Sequence, residues 1–205
     1  MSESRVLLLD AAAAEFARYG LKGTRVQSIV QRAGVNERMI YHHFGSKDGL
    51  YLAVVDHLRH QAGARMAELL REAAGRPPYL AMRHVLGGIF DQFRTNYALP
   101  ALFAHEGLAG QEIARWPTVD QLPAGLRAIY EAGQADGVFM ADRPFEIAYM
   151  TSIGALVGLA FFAQRFVDGL DGSPRADVGY LREQIVGQLV DGLTGPARLP
   201  DTPAS

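Results

Sequence analysis

Four polar side chains with the spacing of one helix face can hydrogen-bond to the edges of nucleic-acid bases: Glu37, Arg38, Tyr41 and His42. Ile40 and Phe44 lie four residues apart in the same run and can bury together, which leaves the polar side chains pointing outward. The Arg38 guanidinium matches guanine in bidentate fashion. The Glu37 carboxylate either accepts from cytosine or only adds a favourable charge to the first helical turn.

Further side chains around this run can contact phosphate. Arg25, Gln27 and Ser28 stand at the start of the preceding predicted helix. Lys47 stands at the start of the following one, where its ammonium and free backbone N–H groups can bind the same phosphate. Asn36 caps the central helix and belongs to the same surface. These residues together predict a nucleic-acid interface.

The elements that must position these side chains are two short helices and the start of a third. Thr24 and Gln27 have the spacing of a capping box, which predicts a helix beginning at Thr24. Gly34 suits a left-handed end for that helix. Asn36 and Ser46 are caps for the next two helices. Helix, tight turn and helix in this order are the layout of a helix-turn-helix, which places its second helix in the DNA major groove.

The run resembles the N-terminal domain of TetR-family transcriptional regulators over roughly residues 5–51. The matching residues are Leu8-Leu9-Asp10-Ala11-Ala12, Phe16, Gly20, Thr24, Ile29, Ala33-Gly34-Val35, Ile40-Tyr41, His43-Phe44, Lys47 and Leu50. Arg25, Val30 and Asn36 depart from the family pattern, which usually has a small hydroxyl residue, Ala, and Ser or Thr there. The resemblance implies phosphate contacts, or support for them, by Tyr41, His43 and Lys47. A packed, hydrogen-bonded His43 is the alternative.

Composition is that of a globular chain. The 205 residues are 49% hydrophobic and 20% charged, with a net charge of −2 and no Cys. Residues 1–50 hold seven Lys and Arg against five Asp and Glu, so the charge balance there is weakly positive. We expect few phosphate contacts per subunit and therefore dependence on a dimer. The lack of Cys excludes disulfides and thiolate metal sites and fits a cytoplasmic protein.

The remainder of the chain predicts helices throughout, giving an all-α fold. We expect a first helix over 4–19, a long helix over 47–74, and further helices over 79–97, 100–107, 123–136, 144–167 and 177–193. A three-helix DNA-binding domain with the helix-turn-helix is expected over 1–50, and a larger helical effector-binding and dimerisation domain over 51–195. The Pro-rich end, 196–205, is predicted to be disordered.

Residues 147–164 carry no charge, and this uncharged segment is just long enough for a membrane span. Because the segment holds Tyr149, Thr151 and Ser152, we expect instead a helix buried on nearly all sides and no membrane partner. The resemblance implies dimerisation by the last two helices, and candidate interface residues are Gly154, Gly158, Tyr180, Leu181, Ile185 and Leu189. Such an interface would be isologous about a two-fold axis.

The resemblance also implies an effector pocket in the second half. Aromatic and apolar candidates are Phe90, Phe93, Tyr97, Phe103, Trp116, Tyr130, Met150 and Phe161, with His105, Glu106 and Gln134 as polar candidates. Plain core packing is the alternative for each of them. A pocket of this composition favours a small, largely apolar molecule whose identity the sequence leaves open.

The resemblance implies a homodimeric repressor that its ligand releases from a palindromic double-stranded DNA operator. Full release requires the ligand to prefer the state off DNA by about 5.5 kcal/mol. An enzyme is not expected, because the chain lacks a Gly-x-Ser-x-Gly elbow, a His-Glu-x-x-His pair and a phosphate loop. His57, His60 and Asp56 are interpreted as surface residues, with no metal or cofactor. A protein-binding helical adaptor is the alternative, and activation instead of repression stays open.

Overall fold

The computed structural model describes residues 2–110, 113–114, 118, 121–168 and 178–194, with the side chains of 163–168 left out. Every regular element within these ranges is an α-helix, and no strand occurs in them. The helices are α1 Glu3–Gly23, α2 Val26–Ala33, α3 Arg38–Phe44, α4 Lys47–Ala73, α5 Pro78–Thr95, α6 Ala98–Ala109, α7 Ala124–Ala135, α8 Phe145–Asp168 and α9 Val178–Asp191. The all-α prediction is confirmed. The predicted tail over 196–205 and candidate Trp116 lie outside the described residues.

The chain forms two compact units that differ from the predicted division near residue 50. Unit 1 comprises residues 1–65 and 96–116, and unit 2 comprises 66–95 and 117–205. Helix α6 belongs to unit 1 because it packs against α1, with Ala101 and Leu102 buried in the same core as Leu8 and Phe16. Sequence patterns indicate which face of a helix is apolar, not which distant helix covers it.

Helix α1 continues past its predicted end at Tyr19, with a break at Gly20, whose φ of 65° lies in the left-handed region. The Thr24 hydroxyl donates to the carbonyl oxygens of Gly20 and Glu15, at 2.7 and 3.0 Å. It therefore closes the end of α1 and does not cap α2, whose N-terminal cap is Arg25 without a side-chain bond. The predicted capping box is wrong, because the Thr24 hydroxyl bonds to carbonyl oxygens at the buried break in α1 and not to the N-terminus of α2.

In unit 2, helix α5 packs against α7, α8 and α9. Its buried face runs from Ala81 to Phe90 and meets Leu126 and Tyr130 of α7, Phe145 and Leu156 of α8, and Val186 and Val190 of α9. The Tyr130 ring stacks on Phe139 at a centroid distance of 5.4 Å. This aromatic and aliphatic core supplies the stability of the unit, since burial of apolar area is the main favourable term in folding.

Two arginines cross between α5 and α9 where the facing helix has glycine. Arg182 lies over Gly87, so that a Cβ on Gly87 would collide with the guanidinium, and its Nε binds Asp91 at 3.0 Å. Arg83 lies over Gly187, 3.2 Å from where a Cβ would stand, and its Nη2 binds Glu183 at 2.6 Å. The two glycines therefore allow ion pairs to form across a close helix contact.

Helix α8 is apolar but far from fully buried. Residues Phe145–Phe162 have a mean hydropathy of 1.6, and only 22% of them are buried within the chain. By length and composition this helix qualifies as a membrane span, which is weak evidence when one helix alone passes. Phe145, Ala148, Ser152 and Leu156 form its buried stripe. The predicted burial on nearly all sides is wrong for the single chain, because the opposite face of α8 is open.

Candidate nucleic-acid interface

The helix-turn-helix is held together by a small apolar anchor and a left-handed glycine. Ile29 of α2 and Ile40 of α3 are both fully buried. Gly34 follows α2 with φ 67° and ψ 29°, and the next amide, of Val35, donates to the Val30 carbonyl at 3.2 Å. This left-handed ending confirms the expectation for Gly34 and turns the chain directly into α3.

Two polar side chains close the open ends of the helices that follow. The Asn36 carboxamide oxygen accepts from the Arg38 backbone N–H at 2.9 Å. The Ser46 hydroxyl accepts from the Gly49 N–H at 2.9 Å, which is the third position of α4. Both side chains therefore act as predicted on orphan helix donors, and they fix the start of α3 and of α4 beside the candidate interface.

The candidate DNA contacts lie on one continuous stretch, and none of them is buried. We call this set the polar face. Its exposed members are Arg25, Gln27, Asn36, Arg38, Tyr41 and His42, and its half-buried members are Ser28, Glu37, His43 and Lys47. Side chains that must reach bases and phosphates have to be accessible in the free protein, so their exposure agrees with the predicted role.

Positive charge on the polar face is available for phosphate. Among the described residues, none of Arg25, Arg38 and Lys47 takes part in an ion pair. Arg32 differs, since its Nε binds the buried carboxylate of Glu15 at 3.0 Å and ties α2 to α1. Cations without an acidic partner are the ones that can neutralise phosphates and release counterions.

Glu37 is held between two neutral partners. Its Oε2 accepts from Gln27 Nε2, and its Oε1 accepts from the Tyr41 hydroxyl, both at 3.3 Å. The first contact joins α2 to the beginning of α3, and the second lies along α3. Three of the predicted DNA contacts are therefore brought together in one hydrogen-bonded group.

His43 is tied to the first helix. Its Nε2 lies 3.1 Å from the Ser4 hydroxyl oxygen, and its ring packs edge-on to His42 and Phe44 at 4.9 and 5.9 Å. Ser4 is a supporting residue that the sequence analysis missed, because a serine 39 positions away carries no local signal. The contact orients the His43 ring and leaves its second nitrogen for another partner.

Comparison with known proteins identifies this architecture. A family model described as "Bacterial regulatory proteins, tetR family" matches residues 8–54. The transcriptional repressor NicS of Pseudomonas putida is 32% identical over 148 residues, covering 70% of this chain and 69% of that protein. The chain belongs to the TetR family. It is accordingly a DNA-binding transcriptional regulator with an N-terminal helix-turn-helix and a larger helical domain.

Other TetR-family proteins match over almost the whole chain. The transcriptional repressor KstR2 of Rhodococcus jostii is 26% identical over 199 residues and covers 95% of this chain and 93% of its own length. The solved structure of the ketosteroid transcriptional regulator KstR2 of Mycobacterium tuberculosis superposes with a TM-score of 0.66 at 20% identity, covering 93% and 95% of the two chains. At this identity the superposition supports the fold alone.

The described effector candidates of this TetR-family chain are divided between the two units. Tyr97, Phe103, His105 and Glu106 belong to unit 1, whereas the other described candidates belong to unit 2. Within unit 2, Phe90 and Tyr130 are buried in the core, but Met150 is 64% exposed. Gln134 donates to the backbone oxygens of Met140 and Arg143 at 2.6 and 3.0 Å and so holds the segment between α7 and α8. Phe93 is half-buried and Phe161 is exposed.

Two of these residues join α6 to the DNA-binding helices of unit 1. The buried Glu106 carboxylate accepts from the Tyr51 hydroxyl at 2.7 Å and from the backbone N–H groups of Ile113 and Ala114 at 3.2 Å. Burial, reinforced by Glu106, raises the pKa of Tyr51 well above its usual range. His105 Nε2 lies 3.1 Å from the Ala17 carbonyl oxygen, beside the break at Gly20.

The cavities of unit 2 offer little enclosed room. A void of about 10 Å³ is lined by Met82, Tyr130 and Tyr149 among others, which is roughly the space of one water molecule. A larger cleft of about 480 Å³ lies between α8 and α9, with Ile185 and Leu189 in its wall. Tyr130 is a predicted effector residue that borders the smaller void.

The candidate dimer residues of α8 and α9 are exposed or half-buried, and two of them, Ile185 and Leu189, also pack against the core of unit 2. Gly154 and Tyr180 are exposed, and Gly158, Leu181, Ile185 and Leu189 are half-buried. A Cβ added at Gly154 or Gly158 would meet nothing within 4 Å. The two glycines therefore do not serve close packing inside the chain.

The histidines of α4 do not converge. His57 Nε2 lies 2.9 Å from Gln61 Nε2, and His60 Nδ1 lies 2.8 Å from the Asp56 carbonyl oxygen. In the described part of the chain, no group of three or more His, Cys, Asp or Glu side chains is placed to hold a metal ion.

Proposed function

We propose that the protein is a homodimeric repressor that binds a palindromic operator through the polar face and leaves it when a small, largely apolar effector binds. The exposure of Arg25, Arg38 and Tyr41 beside a rigid helix-turn-helix carries this proposal. The names of NicS and KstR2, both transcriptional repressors, support repression.

The dimer is argued from the open face of α8. Ile147, Met150 and Phe162 are between 51 and 64% exposed on a helix whose other side is packed in unit 2. Apolar surface of this extent on a soluble regulator favours a partner. A second copy of the chain is the proposed partner, because a two-fold pairing covers the same face on both molecules. The uncovered Gly154 and Gly158 permit close approach of the two helices.

Dimerisation is tested with Met150→Glu, which places a charge at the centre of the proposed interface. We expect the wild-type protein to have the mass of a dimer in light scattering and Met150→Glu that of a monomer, because a buried unpaired carboxylate is costly. Leu80→Glu is the matched control, since Leu80 is 51% exposed in α5 of the same unit. A monomeric wild type, or equal masses for wild type and Met150→Glu, would contradict the proposed interface.

An effector that binds beside Tyr130 requires the core of unit 2 to open. The void beside Tyr130 holds about one water molecule, so an effector has to displace core side chains when it binds there. We therefore propose that the effector selects a rearranged core, and that the long helix α4, which begins beside the polar face and ends in unit 2, carries the change. Operator affinity measured with and without each candidate compound tests this step, and an affinity that never changes eliminates that compound.

A further inference from the structure

Glu37 is the single acidic residue between positions 24 and 47 of the sequence, the segment that holds the whole polar face. Its carboxylate accepts hydrogen bonds from the Gln27 amide and the Tyr41 hydroxyl, each at 3.3 Å. Both donors are neutral, and Glu37 takes part in no ion pair with any residue that the structure describes. The polar face therefore carries one negative charge that its own contacts do not neutralise.

Placement of the carboxylate makes this charge matter for DNA. Glu37 is half-buried beside the exposed Gln27 and Tyr41, and both hydrogen bonds of its carboxylate lie at the exposed surface, so the carboxylate is accessible to DNA. At 3.3 Å both hydrogen bonds are longer than is usual for their donors and are therefore weak. They can be exchanged for bonds to DNA at small cost.

We propose that Glu37 determines the sequence selectivity of the polar face by rewarding cytosine and penalising other DNA. This inference rests on the proposed function, since it concerns the same operator-binding surface. A carboxylate only accepts hydrogen bonds, and the cytosine N4 amino group is the major-groove donor it pairs with. Where no such donor stands opposite, a negative charge is brought close to bases and phosphates without compensation. Specificity then comes from a repulsive element as well as from attractive contacts.

A purely structural role for Glu37 makes a different prediction. Because the carboxylate joins α2 to the start of α3, it could serve only to hold the two helices in register. Glu37→Gln separates the two roles. Its amide oxygen can still accept from Gln27, and its NH2 group can donate to the Tyr41 hydroxyl oxygen, so the bridge is kept, but the negative charge is removed.

The experiment compares wild type, Glu37→Gln and Asp56→Asn by selection from a random duplex library and by titration with the selected and random duplexes. Asp56 is an exposed acid of α4 outside the polar face, so Asp56→Asn removes the same charge elsewhere. We expect wild type and Asp56→Asn to select a G·C pair at one defined position of each half-site, the position that Glu37 contacts. Glu37→Gln should lose that preference, bind random duplex more tightly, and show an operator-to-random affinity ratio lower by about tenfold.

The outcomes separate this inference from the proposed function. If wild type and Glu37→Gln select the same sequence with the same stringency, the role proposed for Glu37 is overturned. The operator-binding function is then left intact. Parallel loss of operator and random binding in Glu37→Gln, with the base preference retained, indicates the structural role and also overturns the proposal. A wild type that selects no sequence overturns both.

Discussion

Arg38 and Arg25 are both exposed cations of the polar face, but they are expected to act on different parts of DNA. Arg38 begins α3, where its backbone is fixed by the Asn36 cap at 2.9 Å. Arg25 precedes α2 and stands at the edge of the motif. A guanidinium in the groove distinguishes bases, whereas one at the edge contacts the backbone without regard to sequence.

Substitution of the two arginines by alanine should therefore give two different results. Arg38→Ala should lower operator discrimination by about 1–3 kcal/mol, because it removes a bidentate bond to a base. Arg25→Ala should weaken binding to all duplexes alike and reduce the slope of log affinity against log salt concentration by about one. Titration at several salt concentrations measures both quantities. Interchanged results would mean that base and phosphate roles have been assigned to the wrong residues.

Gly34 and Gly63 provide a second residue-scale test, on stability. Neither has an atom within 4 Å of an added Cβ, but Gly34 has φ +67° whereas Gly63 lies inside α4. Gly34→Ala should lower the free energy of unfolding by about 1 kcal/mol, because an L side chain strains the left-handed region. Gly63→Ala should raise it by about 0.5–1 kcal/mol. Chemical denaturation measures both, and two changes of the same sign would contradict the assigned turn.

Local signals were sufficient for the left-handed Gly34 and for the Asn36 and Ser46 side chains that cap α3 and α4, because each depends on residues a few positions away. They were insufficient for Thr24, whose hydroxyl donates to the carbonyl oxygens of Gly20 and Glu15, four and nine residues earlier. The His43 contact with Ser4 spans 39 residues. Only folding brings such residues together, so no spacing in the sequence announces them.

At the scale of elements, proline and glycine placed most helix ends within about two residues. The five helices predicted beyond α4 all occur, from α5 at Pro78–Thr95 to α9 at Val178–Asp191. The partners of those helices could not be predicted. Helix α6 belongs to unit 1 because it packs against α1, and it also bonds to α4 through Tyr51 and Glu106, which are 55 residues apart. Hydrophobic periodicity gave no indication of it.

The Tyr51–Glu106 bond predicts a measurable contribution from α6 to unit 1. Tyr51→Phe keeps the ring but leaves the buried Glu106 carboxylate with one donor fewer. We expect the free energy of unfolding to fall by about 1–3 kcal/mol at neutral pH. Tyr41→Phe is the matched control, since its hydroxyl is exposed, and it should change stability little. An unchanged free energy of unfolding in Tyr51→Phe would show that the bond does not hold α6 in place.

Alkaline pH offers an independent reading of the same bond. The pKa of Tyr51 is raised in the folded state above its usual value of 10.0, first by burial and then by Glu106. The folded state thus keeps a proton that the unfolded state loses, so this stabilisation is complete below pH 10.0 and is lost as pH rises above it. The stability gap between wild type and Tyr51→Phe should narrow above pH 10.0. A stability difference that widens above pH 10.0 would contradict the raised pKa of Tyr51 in the folded state.

At the scale of the whole molecule, the chain buries one face of α8 itself, whereas the opposite apolar face is exposed and needs a partner to be covered. Within the sequence, the apolar run of 147–164 indicated burial but not by which surface. In the single chain, 22% of Phe145–Phe162 is buried, and Gly154 faces open space. An effector pocket was likewise beyond the sequence, because an aromatic side chain in the core and one in a pocket have the same spacing.

Selection from a random duplex library at near-physiological salt is the decisive test of sequence-specific operator binding by the polar face. A dimer that reads DNA with two copies of α3 should enrich a palindrome whose half-site centres lie about one helical turn, or a multiple of it, apart. The same selection with Arg38→Ala should lose one base preference in each half-site. Failure of the folded wild-type protein to enrich any sequence, across several salt concentrations, would contradict sequence-specific operator binding by the polar face.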